Sequence, residues 1–383
     1  MPPTTDDHRL TALAEQSAAL ISSLQTPEGA YPASPTFSAY VGYSWFRDGA
    51  FIADGMSSWG EAASAEQFFD WCARVLEARS DHLERIVEAA LAGRPVPDEA
   101  MLPTRFTFDG REGDDEWWDF QLDGYGTWLW AVGEHVGRHG ADPSRWRTAV
   151  ELSVDYLVSS WDRPCYDWWE EHPMHRHGST LGCIVAGLRA ALGLGVLDET
   201  RASAATAAAA AAEARLKGEA VSDGHLAKWI GSSEVDASLA AVVGLLNVVG
   251  AGTDIGRRTI DAVEDDLTKD GGVHRYLDDT FYGGGQWPLL SCMLGLAHAR
   301  AGSTARAREL LDWAASTAAT DGSMPEQVDR HLLAPTRVDE WVDRWGSVAQ
   351  PLLWSHAMLI RLVVELGLRP DADVRRATSD ARA

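Results

Sequence analysis

The chain has 383 residues, of which 45% are hydrophobic and 23% charged. That balance excludes collagen-like, low-complexity and disordered chains and leaves ample length for a sizeable core. Its 57 acidic and 33 basic side chains give a net charge of −24 with no run of Lys or Arg, which excludes nucleic acid and anionic membranes as partners, since both need clustered cations.

The N-terminal stretch has no basic flank and does not read as a signal peptide, and nowhere does the chain approach twenty successive apolar residues. Cys72, Cys165, Cys183 and Cys292 are widely spaced, without metal-type or redox-type pairing, and read as buried free thiols of a cytoplasmic protein. Tryptophan is abundant, with 17 residues against 9 Phe and 8 Tyr. Trp45, Trp117, Trp118, Trp168, Trp169, Trp287, Trp341 and Trp345 fall in polar, charged or Gly-rich segments. An apolar ring carrying one N–H donor, set among acids, suits the apolar face and hydroxyl edge of a sugar.

Leu10, Leu13, Ala14, Leu20, Ile21 and Leu24 recur at helical spacing and predict a helix over 7–25, ending at Thr26-Pro27. Similar patterns predict helices over 48–58, 61–91, 121–138, 142–159, 179–194, 201–217, 234–249, 256–268, 286–301, 304–319 and 348–367. That makes about twelve helices. Period-2 alternation is scarce, so little sheet is expected. The Ala-rich segment 202–214 ends on polar residues and reads as an outer, partly exposed helix. No Pro/Gly/Ser linker divides the chain, which reads as one domain over 1–383. Irregular stretches near 27–47, 93–120, 160–178, 218–233, 270–285 and 321–347 are of a length that usually serves function in compact domains. Helix pairs with such loops gathered at one end suit a closed toroid, although periodicity alone fits an open solenoid equally well.

The candidate chemistry lies in those stretches. Arg47 and Asp48 follow Trp45 and Phe46; they make either an ion pair at a helix start or a clamp on vicinal hydroxyls. Gln121 and Asp123 orient a ligand or cap the helix that starts near Gly124. Glu170 and Glu171 follow Trp168 and Trp169, and a carboxyl held against indoles and crowded by a second acid has its protonated form favoured. His172, His175 and His177 lack a recognised zinc spacing and read as loop contacts or a cap at Ser179, so no metal is expected. Gly283–Gly285 lacks a preceding strand and a following Lys, and reads as a tight turn bringing Arg275 and Trp287 to a cleft. Glu326 is another isolated loop carboxylate. No G-x-S-x-G, P-loop or H-E-x-x-H occurs, which removes the main support for esterase, NTPase and zincin readings.

Taken in order, W-F-R-D (45–48), Q-L-D-x-Y-G (121–126), Y-D-x-W-E-E (166–171), R-Y-x-x-D with G-G-x-x-W (275–287), P-E-Q (325–327) and L-x-W-S-H-A (352–357) resemble the glucoamylase family, glycoside hydrolase family 15, from about residue 38 to 360. The resemblance implies an all-α fold, an (α/α)6 barrel of six inner helices ringed by six outer ones, and no cofactor. It implies Glu170 as general acid, Glu326 as general base, and Arg47, Asp48, Glu171 and Arg275 around the terminal glucose, with Trp117 and Trp287 as platforms. Trp45, Gln121, Asp123, Trp169 and Tyr276, in the same motifs, complete the substrate-binding candidates. Inverting hydrolysis needs one carboxylic acid to protonate the departing oxygen and one carboxylate, roughly 6.5–9.5 Å away, to activate water on the opposite ring face.

Neither the starch-binding domain nor the N-terminal β-sandwich of many family members is evident, so a short α-glucoside is expected as substrate. An isomaltose-type α-1,6 linkage comes first, then maltose-type α-1,4 and trehalose. A sugar-binding protein without turnover is the reading from a different class. A phosphorylase would have no use for Glu326.

Overall fold

The computed structural model describes residues 5–113, 117 and 120–369. Trp118 and Asp119, in the segment that suggested sugar contacts, lie outside the described residues. In chain order the helices are α1 (Thr5–Leu24), α2 (Phe46–Trp59), α3 (Ala62–Glu77), α4 (Ser80–Leu91), α5 (Asp123–His139), α6 (Arg147–Ser160) and α7 (Gly178–Gly193). They continue with α8 (Glu199–Gly218), α9 (Leu239–Val243), α10 (Asp254–Ala262), α11 (Pro288–Arg300), α12 (Thr304–Ser316), α13 (Val338–Trp345) and α14 (Leu353–Glu365).

Six of these close a ring. Helix α2 packs on α5, α5 on α7, α7 on α9, α9 on α11, α11 on α14, and α14 returns to α2. Outside them α3 lies on α2, α8 on α7, α10 on α9, α12 on α11 and α1 on α14, with α6 bridging α3, α5 and α8. Inner and outer helices alternate along the chain, which is the all-α (α/α)6 barrel. Composition explains the sorting. Every residue of α2 is buried, as is α11 from Pro288 to Ala297, so neither has a face to offer to water. The outer α8 buries only Ala205, Ala208, Ala209, Ala212 and Leu216, one stripe at helical spacing. Helices α5 and α7 meet backbone to backbone: a Cβ at Gly126 would lie 2.4 Å from the Cys183 carbonyl oxygen, and one at Gly187 would lie 2.4 Å from that of Gly126.

Strand content is small, as expected. Strand β1 (Tyr43–Trp45) pairs antiparallel with β2 (Arg105–Thr107), β3 (Val221–Ser222) with β4 (His225–Leu226), and β5 (Thr268–Lys269) with β6 (Gly272–Val273). Several boundaries differ from the sequence reading. The helix predicted over 61–91 breaks at Ala78–Arg79 into α3 and α4. The one predicted over 234–249 shrinks to α9, and Asn247 beyond it takes a left-handed φ of 49°, which a helix cannot continue through. The helix predicted from 348 starts at Leu353, since Pro351 cannot continue a helical ladder. Helix α13 stands in a stretch read as irregular. Among the described residues no helix is long and apolar enough to cross a membrane, and all four cysteines are buried and unpaired.

Alternation has a geometric consequence. Every connection from an outer to an inner helix lies at the same end of the ring, where the inner helices begin. Among the described residues, 25–45, 92–113, 117, 120–122, 161–177, 219–238, 268–287 and 317–352 run there, and with the first turns of the inner helices they carry the candidate motifs.

Candidate active site

At that end of the ring lies one cavity of about 420 Å³, within the roughly 300–1,000 Å³ typical of small-ligand pockets. Trp45, Arg47, Asp48, Trp117, Trp169, Glu170, Glu171, Arg275, Trp287 and Glu326 all line it, drawn from five different connections and the first turn of α2. Gln121, Asp123 and Tyr276, expected to touch substrate, do not line it and stand behind residues that do.

Arg47, in the first turn of α2, is the hub of one wall. Its Nη1 donates to Gln121 Oε1 at 2.6 Å and to Asp123 Oδ2 at 3.2 Å, while Nη2 lies 3.3 Å from Asp48 Oδ2 and 3.6 Å from Glu170 Oε1. Gln121 also accepts from the Thr104 hydroxyl at 2.8 Å, so its amide oxygen is fully engaged. Gln121 and Asp123 therefore orient the guanidinium, which answers the question left by their sequence. A second arginine on the cavity wall repeats the device. Arg275 makes a two-pronged contact with Asp279, at 2.8 and 2.5 Å, and reaches Glu171 Oε1 at 3.7 Å. Its guanidinium is caged by Trp169, Phe281 and Trp287, at 5.2, 5.1 and 5.3 Å from the ring centres. The Tyr276 hydroxyl donates to Glu171 Oε2. The glycine turn does bring Arg275 and Trp287 to the cavity, with Gly283 and Gly284 at φ of 80° and 67°.

Glu170 sits at a left-handed φ of 63°, held by Asp167, whose Oδ1 accepts the backbone N–H groups of Trp169 and Glu171, each at 2.9 Å. Both oxygens of the Glu170 carboxyl are engaged: Trp45 Nε1 donates to Oε1 at 2.6 Å and Trp117 Nε1 to Oε2 at 2.5 Å. Arg105 lies behind these indoles, 4.6 Å from the Trp117 ring centre and 5.5 Å from that of Trp45. Burial pushes Glu170 up to about 7, with Asp48 adding to it, against the opposing Arg47 charge and the two indole donors. Glu326 accepts from the Tyr40 hydroxyl at 2.9 Å through Oε1, whereas its Oε2 has no protein partner. Burial pushes Glu326 up to about 8, and Asp48 and Asp279 add to it against the Tyr40 hydrogen bond and Arg275. Asp48 is likewise raised, to about 6, mainly by burial.

Several groups on the cavity wall are polar, buried and without a protein hydrogen-bond partner: Glu326 Oε2, Trp287 Nε1 and Trp354 Nε1. A ligand rich in hydroxyls, each both donor and acceptor, satisfies such a mixed set. Carboxylates outnumber the two guanidinium groups here, which favours a positive charge developing in the cavity.

The histidines make loop contacts. His177 Nε2 bonds the carbonyls of Cys165 and His172, and His175 stacks on Trp229 at 4.3 Å. Asp167, Glu171 and His172 bring one donor atom each within 4.8 Å of one another. The buried Lys228 supplies a cation beside this group. Its ammonium lies 3.6 Å from Asp236 and 2.8 Å from the Tyr276 ring centre, and it opposes the burial that pushes Asp167 up to about 8. Asp236 in turn accepts from Trp169 Nε1 at 2.9 Å.

Sequence reasoning missed Tyr40, Phe281, Lys228 and Asp236. Tyr40 belongs to none of the six motifs and meets Glu326 only across 286 residues of chain, and Phe281 falls in the gap between the two halves of the 275–287 motif. Lys228 and Asp236 lie in a connection that showed neither Trp pairs nor acid pairs.

Residues 7–364 match the family Glycosyl hydrolases family 15. The chain is 53% identical over 365 residues to the isomaltose glucohydrolase of Kribbella flavida, covering 95% of each chain. A solved glycosidase in complex with glucose is 51% identical and superposes with a TM-score of 0.94, over 97% of this chain and all of that one. A glucoamylase from Saccharomycopsis fibuligera, 15% identical, shares the fold at a TM-score of 0.74 over 95% of this chain and 96% of its own.

Proposed function

The chain belongs to glycosyl hydrolases family 15, and on that premise we propose an inverting, exo-acting α-glucoside hydrolase. It releases β-glucose from the non-reducing end of short α-glucosides, with isomaltose as the preferred substrate. The observation that carries this reading is the pair of carboxyl groups, partly buried Glu170 and buried Glu326, opening into one cavity whose remaining polar atoms await hydroxyl partners. The α-1,6 preference is supported by the isomaltose glucohydrolase, which matches the chain almost end to end.

In this mechanism Arg47 and Asp48, together with Glu171 and Arg275, grip the hydroxyls of the terminal glucose. Holding them fixes C1 between the two acids and removes much of the entropic cost of reaction. Water attacks C1 as its proton passes to Glu326 Oε2. The C1–O bond breaks, its electron pair stays on the glycosidic oxygen, and that oxygen takes the proton of Glu170. Trp117 and Trp287 present apolar ring faces to the sugar.

Burial pushes the two acids up to about 7 and about 8, so near neutral pH each can be found with or without its proton. Glu326 is the stronger holder by its own surroundings, and the productive form has the proton on Glu170. Substrate favours that form on both sides: a glycosidic oxygen accepts from protonated Glu170, and a water donates to ionised Glu326.

The six hairpins serve as one catalytic domain, and four buried thiols suit a reducing cytoplasm. Incubation with isomaltose, maltose, panose and trehalose, following glucose release, tests the proposal. Isomaltose is expected to be cleaved fastest. A faster rate on maltose or trehalose overturns the linkage preference, and no glucose from any of them overturns the hydrolase reading.

A further inference from the structure

The L-x-W-S-H-A motif contributes Trp354 to the cavity wall, but its serine and histidine touch no part of the cavity. They face the loop that carries Glu326. That loop has no helix or strand of its own between Asp321 and Gln327, yet its backbone is pinned group by group. Gln350 Nε2 donates to the Ser323 carbonyl at 3.0 Å, and the Leu352 N–H to the Met324 carbonyl at 2.9 Å. The Ser355 hydroxyl donates to the Pro325 carbonyl at 2.8 Å, and the Glu326 N–H to the Ala349 carbonyl at 2.9 Å. The fifth contact uses an aromatic nitrogen: the Met324 N–H donates to His356 Nε2 at 2.9 Å.

That last bond fixes the state of the ring. A backbone N–H can only donate, so Nε2 must carry a lone pair, and the ring proton resides on Nδ1. Nδ1 then donates to the Ser17 hydroxyl at 2.8 Å, tying the loop through His356 to outer helix α1. Ser17, Ser355 and His356 are all buried, so water does not compete for these bonds. Burial also favours the neutral ring, which is pushed down to about 4.

We propose that Ser355 and His356 are positioning residues for Glu326, fixing the backbone of Met324–Glu326 so that one carboxylate oxygen takes the Tyr40 hydroxyl and the other is presented to the attacking water. The proposal rests on Glu326 being the general base. A base on an irregular loop has no helix or strand to hold it, and an error of about 1 Å in such a group can cost on the order of 100-fold in rate.

Two substitutions separate the two ends of the imidazole. In His356→Gln the amide oxygen reaches the place of Nε2 and still accepts from Met324 N–H, while the bond to Ser17 is lost. In His356→Asn the shorter amide reaches Ser17 and leaves Met324 unpaired. Both lose one buried bond, so their melting temperatures should fall by similar amounts. On isomaltose, His356→Asn should lose about 10- to 100-fold in kcat with KM changed less than about threefold, and His356→Gln should recover most of that kcat. Ser355→Ala, which removes one hydroxyl without disturbing the ring, serves as the second variant and should lower kcat by several-fold at unchanged KM. Equal kcat losses in the Asn and Gln variants, a loss that follows melting temperature alone, or unchanged kcat in His356→Asn or Ser355→Ala overturns the proposal. Glu326→Gln is run alongside. If it still turns over, the base assignment itself fails; if it is dead while the His356 variants are unimpaired, only the positioning role fails.

Discussion

The two indole donors on Glu170 offer a test with a sign and a size. Trp117 Nε1 donates to one carboxyl oxygen at 2.5 Å and Trp45 Nε1 to the other at 2.6 Å. Both bonds are strongest when Glu170 is charged, so they hold its pKa below where burial alone would put it. A hydrogen bond to a charged group contributes about 1.5–3 kcal/mol, and one pKa unit corresponds to about 1.36 kcal/mol. Trp117→Phe keeps an aromatic face and deletes the donor, so Glu170 should rise by about one to two units. The profile of kcat/KM against pH for isomaltose should be bell-shaped, reporting the acid pair of the free enzyme, with its centre between about 7 and about 8. The centre of a bell is the mean of its two limbs, whichever acid owns each limb. In Trp117→Phe it should therefore move to higher pH by about 0.5–1 unit, half the change in Glu170. Trp45→Phe should move it in the same direction. The position of the bell is independent of its height, so a lower rate from a poorer platform does not confuse the reading. An unmoved centre, or one displaced toward acid, refutes the indole clamp.

Arg47→Met leaves Asp123 buried without its cation and removes the group that joins Gln121, Asp48 and Glu170. A broken buried pair costs about 3–5 kcal/mol, and an unfolding entropy of about 0.8 kcal/mol/K for a chain this long converts that into a melting temperature lower by about 4–6 °C. The same variant should lose at least about 30-fold in kcat/KM, the equivalent of about 2 kcal/mol. A stable variant with near-normal kinetics contradicts the hub role. Gly126→Ala, where a Cβ would lie 2.4 Å from the Cys183 carbonyl, should cost about 1–3 kcal/mol by forcing α5 and α7 apart, measurable by calorimetry as a lower melting temperature. No loss there means that the two inner helices do not meet as described.

What could be read in the sequence, and what could not, follows from the range of the physics involved. Helices such as α1, α8 and α12 were legible because an apolar stripe at 3.6-residue spacing is a local property. The five residues of α9 were not, since the left-handed turn at Asn247 stops a pattern that reads as helical to residue 249. Helix α13 was hidden because it is only eight residues long and none of them is fully buried; its two indoles, Trp341 and Trp345, are half-buried against Phe281 and line the cavity. The cavity residues in compact motifs, Arg47, Glu170, Glu171, Arg275 and Glu326, were all named in advance. Gln121, Asp123 and Tyr276 were also named, yet they serve behind the cavity, a distinction that depends on depth and leaves no mark on spacing. Tyr40, Lys228 and Asp236 act through partners far off in the chain, and His356 through Met324, 32 residues away.

The central claim, that Glu170 and Glu326 act from opposite faces of one sugar, is tested most directly by proton NMR of freshly cleaved isomaltose. The account predicts that the β-anomer of glucose appears first and the α-anomer only later by mutarotation, with no signal from Glu326→Gln although that variant still binds glucose. The α-anomer appearing first, or continued turnover by Glu326→Gln, would contradict it.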